Sequence, residues 1–153
     1  MRAQLDEHSV IDANAQFWEQ MLAMTLNPLP EAGEFCVDTG HLMGCVNLGG
    51  VWKGRIEVRM GEGLAYQATA AMLMQPLENV AEADALDATK EIANMIAGVI
   101  KSSLPQPCTM TVPESTVEVA GFCSMPQTEY SLAVAFRHAS GDLMVRVWEQ
   151  ECV

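Results

Sequence analysis

One segment limits the folds open to this chain more than any other: Asp87-Ala-Thr-Lys-Glu91-Ile-Ala-Asn94-Met-Ile-Ala-Gly98. Asp87, Glu91, Asn94 and Gly98 are separated by four, three and four residues. At about 3.6 residues per helical turn these positions form one narrow stripe. Ile92, Met95, Ile96, Val99 and Ile100 point to the other side. The spacing therefore predicts a long helix, 85–104, that lays an apolar face on a core and turns a defined polar line outward. The last member of that line has no side chain, so another protein could approach closely there. Asp84 and Asp87 stand in the first turn and Lys101 near the end, both favourable to the helix dipole, and Pro105 and Pro107 stop the segment.

A helix of this kind needs a surface to lie on, and the rest of the chain offers strands. Trp52, Gly54, Ile56, Val58 and Met60 alternate with Lys53, Arg55, Glu57 and Arg59, the pattern of a half-buried strand with a solvated face. A strand over 42–48 precedes it, with Gly49-Gly50 as a two-residue hairpin signal between them. A brief extended segment is expected at 35–37. Towards the C-terminus, 109–112, 116–119, an alternation of Tyr130, Leu132, Val134 and Phe136, and 143–149 read as strands, the last pair turned by Ser140-Gly141-Asp142. Two further helices complete the reading. One starts at Ser9, with Asp12 three residues on, carries Val10, Phe17, Trp18, Met21 and Leu22 at helical spacing, and is ended by Asn27-Pro28-Leu29-Pro30. A shorter Ala- and Met-rich one spans 64–74, and 79–84 reads as an acidic loop. No linker or composition break divides residues 1–153, so one domain is expected.

Charge narrows the function. The 153 residues carry 8 Lys and Arg against 20 Asp and Glu, a formal net charge of −12. That argues against nucleic acid and against anionic membrane surfaces, both of which call for a basic face. Met1 to Glu7 is polar with no apolar run behind it, and nothing in the sequence is long and apolar enough to span a bilayer, so a cytoplasmic chain is expected. The five cysteines are odd in number and form no CxxC pair, which fits reduced thiols. Cys36, His41 and Cys45 match no common zinc spacing and lack an evident fourth ligand, so no metal site is assigned. His8, His41 and His138 are scattered, with His138 read as a strand-end residue. There is no phosphate-binding glycine loop, and Ser102-Ser103 lacks the setting of a nucleophile.

A weak internal repeat runs through the chain: a helix and then strands, followed by a second helix group and then strands. Aligning the long helices sets Asn14, Trp18, Met21 and Thr25 against Asp87, Glu91, Asn94 and Gly98. The first helix thus lacks the polar stripe, and Trp18 and Met21 are expected in core or interface.

Asp87, Glu91, Asn94 and Gly98 reproduce the D/S-x-x-x-E-x-x-N-x-x-x-G signature of the CheC, CheX and FliY chemotaxis phosphatases. The run from Glu91 to Lys101 most resembles CheX-like chains. The likeness covers nearly the whole chain: a first helix without the motif, a Gly-flanked hairpin, the motif helix, and a strand-rich end beginning near Pro113. By average residue usage the bare pattern arises by chance in roughly one chain of this length in several hundred, so the shared layout carries much of the weight. The resemblance implies an α+β, CheC-like fold of two pseudo-symmetric helix-plus-strand units, with the long helices packed on an antiparallel sheet. It also implies a homodimer and hydrolysis of the aspartyl phosphate on a CheY-like response regulator.

For such a substrate the resemblance assigns Asn94 to placing the attacking water and Glu91 to pairing with the receiver's lysine. A carboxamide suits the first role because it both donates and accepts without charge. Gly98 admits the partner, Asp87 is a helix-start or rim contact, and Lys90 and Lys101 flank the stripe with local positive charge. The chain itself is expected to bind no cofactor; Mg²⁺ is expected on the partner receiver domain. A second reading uses the same face without hydrolysis, as a binding module or scaffold for a receiver domain or other signalling partner.

Overall fold

The computed structural model describes residues 5–37, 40–119, 122–123 and 131–150. In chain order its elements are α1 (Glu7–Leu22), β1 (Asn27–Pro28), β2 (Cys36–Val37), β3 (His41–Gly50), β4 (Gly54–Gly61), α2 (Glu62–Leu73), α3 (Glu82–Lys101), β5 (Cys108–Met110), β6 (Glu114–Glu118), β7 (Phe122–Cys123), β8 (Ser131–His138) and β9 (Gly141–Glu149). Among the described residues, seven strands form one antiparallel sheet in the order β1-β8-β9-β4-β3-β5, with β6 also on β3, and β2 pairs β7 separately. The fold is α+β, with the helices laid on an antiparallel sheet.

The alternation of β4 decides which face they cover. Ile56, Val58 and Met60 are fully buried, and their register partners on β3 and β9 (Val46, Gly44 and Leu42; Val147, Val145 and Leu143) share that face. Leu132, Val134 and Phe136 of β8 extend it, and all join one apolar core with the inward sides of α1, α2 and α3. The opposite face is less solvated than alternation suggests. Phe35, with Leu29 and Val37 beside it, packs on Ala135 and Met144, so β8 is buried on both sides. Glu57 and Arg59 of β4 are only 14 % and 11 % exposed and lie 3.6 Å apart, and Arg59 also reaches Glu118 at 3.1 Å.

Several boundaries depart from the sequence reading, each for a local reason. The N-cap of α1 is Asp6, whose carboxylate accepts from the Ser9 N–H at 2.8 Å; Ser9 lies inside the first turn. That helix ends at Leu22 through Ala23 in the left-handed conformation, and Asn27-Pro28 becomes an edge strand on β8 instead of a helix stop. Gly49-Gly50 is not the hairpin turn. Both residues still pair, with Thr109 and Cys108, and the β3–β4 pairing closes at Leu48–Gly54. The longer loop folds Trp52 back into the core, its ring lying where a side chain on Gly54 would stand. The motif helix begins three residues earlier than expected, at Glu82, and ends at Lys101. The Asp84 carboxylate caps its start by accepting from Ala81 N–H at 3.1 Å, so residues 82–84 are helix rather than loop. Tyr130 lies outside the described residues.

Candidate functional site

The depth and rotation of α3 are set by small residues. On β3, Gly44 faces the helix, and a Cβ there would come within 2.9 Å of Thr89 O and 3.0 Å of the Ala93 methyl. The missing side chain lets α3 settle directly on the sheet. Ala85, Thr89, Ile92, Ala93, Ile96, Ala97 and Ile100 are then buried, and the Thr89 hydroxyl donates to Ala85 O at 2.7 Å rather than staying unsatisfied. With that face committed, helical geometry turns Asp87, Glu91, Asn94 and Gly98 outward as one line. Asp87 and Glu91 are exposed, and Asn94 and Gly98 are half-exposed.

The stripe is chemically uncommitted. Among the described residues, Glu91 makes no ion pair and the Asn94 carboxamide makes no hydrogen bond, so both are available to a partner. Asp87 sits in the second turn of the helix, not at its start, because α3 begins earlier; it is a rim residue, its side chain 79 % exposed. Lys90 stands 3.9 Å from Asp87, a contact too long and too exposed to fix either group. Lys101 closes the helix, 3 residues beyond Gly98. Among the described residues, its own stretch of helix backbone aside, a Cβ built on Gly98 would meet nothing within 4 Å. The glycine is therefore not required by packing within this chain, which distinguishes it from Gly44.

Two hollows border the ridge. On the α2 side, Met72, Leu73, Asp84, Asp87, Ala88 and Glu91 line a depression of about 200 Å³. On the α1 side a groove of about 480 Å³ runs between the long helices, walled by Phe17, Met21, Met95, Gly98 and Val99. This corrects the expectation that Met95 and Val99 turn away from the stripe: Val99 is 42 % exposed and borders it. Sequence reasoning missed the groove because it is made by the packing of α1 against α3. The signal open to it was Met21, an apolar residue on a helix whose core positions were already filled by Phe17, Trp18 and Leu22.

The first helix presents no second site. Asn14 is buried and donates from Nδ2 to Val10 O at 2.8 Å, and Trp18 is fully buried in the core against Phe17, with the rings edge-to-face at 5.7 Å. Neither can reach a substrate.

His41 is buried with its Nε2 2.8 Å from Arg59 Nη1, so a guanidinium faces that ring nitrogen. Cys45 is buried, and desolvation pushes its thiol above the ordinary value, away from the nucleophilic thiolate. The Cys36 side chain lies outside what is described. His138 sits at a strand end and contacts the Ser140 hydroxyl at 2.7 Å. Among the described residues no cluster of His, Cys, Asp or Glu is suited to a metal, and no helix is long and apolar enough to cross a membrane.

Comparison with known proteins agrees with this architecture. Solved structures similar to it include the chemotaxis protein CheX from Vibrio vulnificus (18 % identity, TM-score 0.69, covering 94 % of this chain and 95 % of that one). CheX from Desulfovibrio desulfuricans is equally similar (18 %, TM-score 0.70, 94 % and 97 %). So is CheX in the CheX–CheY–BeF3–Mg²⁺ complex from Borrelia burgdorferi (18 %, TM-score 0.67, 97 % and 100 %). At such identity these structures show a shared fold. No curated protein sequence matches the chain. The family model for the chemotaxis phosphatase CheX matches residues 42–137, which hold the central hairpin, the whole of α3 and the chain beyond it into β8, short of β9. With the stripe exposed on the one helix that this match includes in full alongside α2, the chain belongs to the CheX chemotaxis phosphatase family.

Proposed function

We propose that this protein hydrolyses the aspartyl phosphate of a CheY-like response regulator, and that it does so in the cytoplasm as a homodimer. The observation that carries the reading is the outward-facing, uncommitted pair of exposed Glu91 and half-exposed Asn94, one turn apart on α3 of a CheX-family chain. The Borrelia CheX was solved in a complex with CheY, BeF3 and Mg²⁺, and trifluoroberyllate is a close mimic of a phosphoryl group.

An acyl phosphate is already activated, so the enzyme needs neither a nucleophile nor a metal of its own. Its task is to hold a water in line with the phosphorus and to fix the partner's orientation, the effects that dominate phosphoryl transfer. The Asn94 carbonyl oxygen accepts a hydrogen bond from that water while its amide N–H₂ remains available to donate to a phosphate oxygen. A carboxylate at the same place would be repelled by the phosphate. Glu91 pairs with a receiver lysine, and the pair becomes stronger as the interface excludes water. Asp87 lies at the rim, and Lys90 and Lys101 offset part of the acidity that would otherwise repel an acidic receiver surface. The partner's Mg²⁺ supplies charge neutralisation at the phosphoryl oxygens.

The test is turnover. Substoichiometric protein should release many equivalents of phosphate from a phosphorylated receiver; stoichiometric binding with no acceleration would establish the scaffold reading instead.

A further inference from the structure

The first helix has lost the polar stripe, yet it is not inert. We infer that α1 and α3 together form an apolar docking groove that takes side chains of the receiver domain lying beside its phosphorylated aspartate, so that Met21 and Val99 set affinity and partner choice. This rests on the phosphatase reading above and adds to it a role for α1.

The groove is continuous with the proposed reaction point. Gly98 is both the end of the stripe and part of the groove wall, four residues or about 6 Å along the helix from Asn94. A specific interface covers about 800 Å² per partner, a patch roughly 30 Å across. A domain centred on Glu91 and Asn94 must therefore also cover the groove. Its composition fits that use. Met21 and Val99 are 59 % and 42 % exposed at its lip, while exposed Gln16, Gln20 and Ser102 supply a polar rim. Among the described residues no charged side chain lines it, although the chain has 20 acids and α1 carries Glu7, Asp12 and Glu19. At about 480 Å³ it has room for several apolar side chains, whereas the hollow on the α2 side is less than half that size and carries three carboxylates. Methionine suits such a wall because its flexible thioether adapts to the shape of an inserted group.

The experiment uses the whole protein with CheY-like receiver domains loaded with beryllofluoride and Mg²⁺ for binding, and with phosphate for turnover. Met21→Glu and Val99→Glu should each raise the Kd and KM at least tenfold while changing kcat less than twofold, and Met21→Leu should restore wild-type affinity. Val119→Glu, at a still more exposed apolar residue beyond β6, should match wild type in both. Turnover by the wild type with Met21→Glu within twofold of it in Kd and KM would overturn the groove and leave the phosphatase reading intact. If Met21→Glu instead changed the sedimentation mass of the free protein, the groove would belong to a second copy of this chain and the inference would fall. A wild type that neither bound nor dephosphorylated any receiver would remove the phosphatase reading and this inference with it.

Discussion

Gly98→Ala should make the protein more stable and less active, and the structure gives both signs. Glycine in a helix interior costs about 0.8–1 kcal/mol relative to alanine. Two surfaces can make use of the missing side chain: the chain's own core and a partner. At Gly98 a Cβ finds no atom of another described segment within 4 Å, so the methyl is accommodated without repacking and the helix gains its full propensity. For a domain of this size about 1 kcal/mol raises the Tm by roughly 2–4 °C. The same methyl projects towards the partner, next to Asn94, and displaces it by roughly the 1 Å that can cost about a hundredfold in a reaction governed by positioning. Thermal melts followed by circular dichroism, alongside phosphate release from a phosphorylated receiver, read both effects. Gly98→Leu should deepen the loss of turnover. A lower Tm for Gly98→Ala would mean that the glycine serves packing within the chain, and undiminished turnover by Gly98→Leu would mean that no partner comes near it.

The other glycine beside α3 should behave in the opposite way. Gly44→Ala places a methyl 2.9 Å from backbone Thr89 O and should cost about 1–3 kcal/mol, seen as a lower midpoint in urea denaturation with the stripe's chemistry untouched in the fraction that folds. Ile96→Ala, at a buried position under the stripe, should cost about 2–5 kcal/mol by the same measurement. Asp6→Ala should lower the Tm at neutral pH by removing the N-cap of α1. The backbone N–H of Ser9 holds the Asp6 carboxyl below its ordinary value of 3.8. Its contribution is therefore present above that value and lost as pH falls through the lower folded value, so wild type and variant should converge in strong acid.

The stripe and the helix that carries it were legible because period and residue type coincide: one face of α3 is apolar at every helical repeat, and the polar line lies opposite. The inward set of β4 was legible for the same reason at period two. What sequence could not show depends on contacts between distant segments. Trp52 reads as the first residue of a strand, but its ring returns over Gly54 and lengthens the hairpin loop. Asn27-Pro28 reads as a helix stop, and pairing with Phe136 and Arg137 makes it an edge strand. Ala133 and Ala135 of β8 carry no alternation signal because both faces of that strand are covered. Arg59, Glu57 and Glu118 look like a solvated face until β6 brings Glu118 alongside. The groove belongs to this class as well, since neither α1 nor α3 contains it alone.

The central claim is that Asn94 acts on the water and not on the grip. Its most direct test is a paired measurement on Asn94→Ala: affinity for a beryllofluoride-loaded receiver, and the rate of phosphate loss from the phosphorylated one. The account predicts binding within about threefold of wild type and turnover reduced at least a hundredfold, as expected for loss of a group that positions the attacking water. Full turnover by Asn94→Ala, or loss of activity matched by an equal loss of binding, would contradict it.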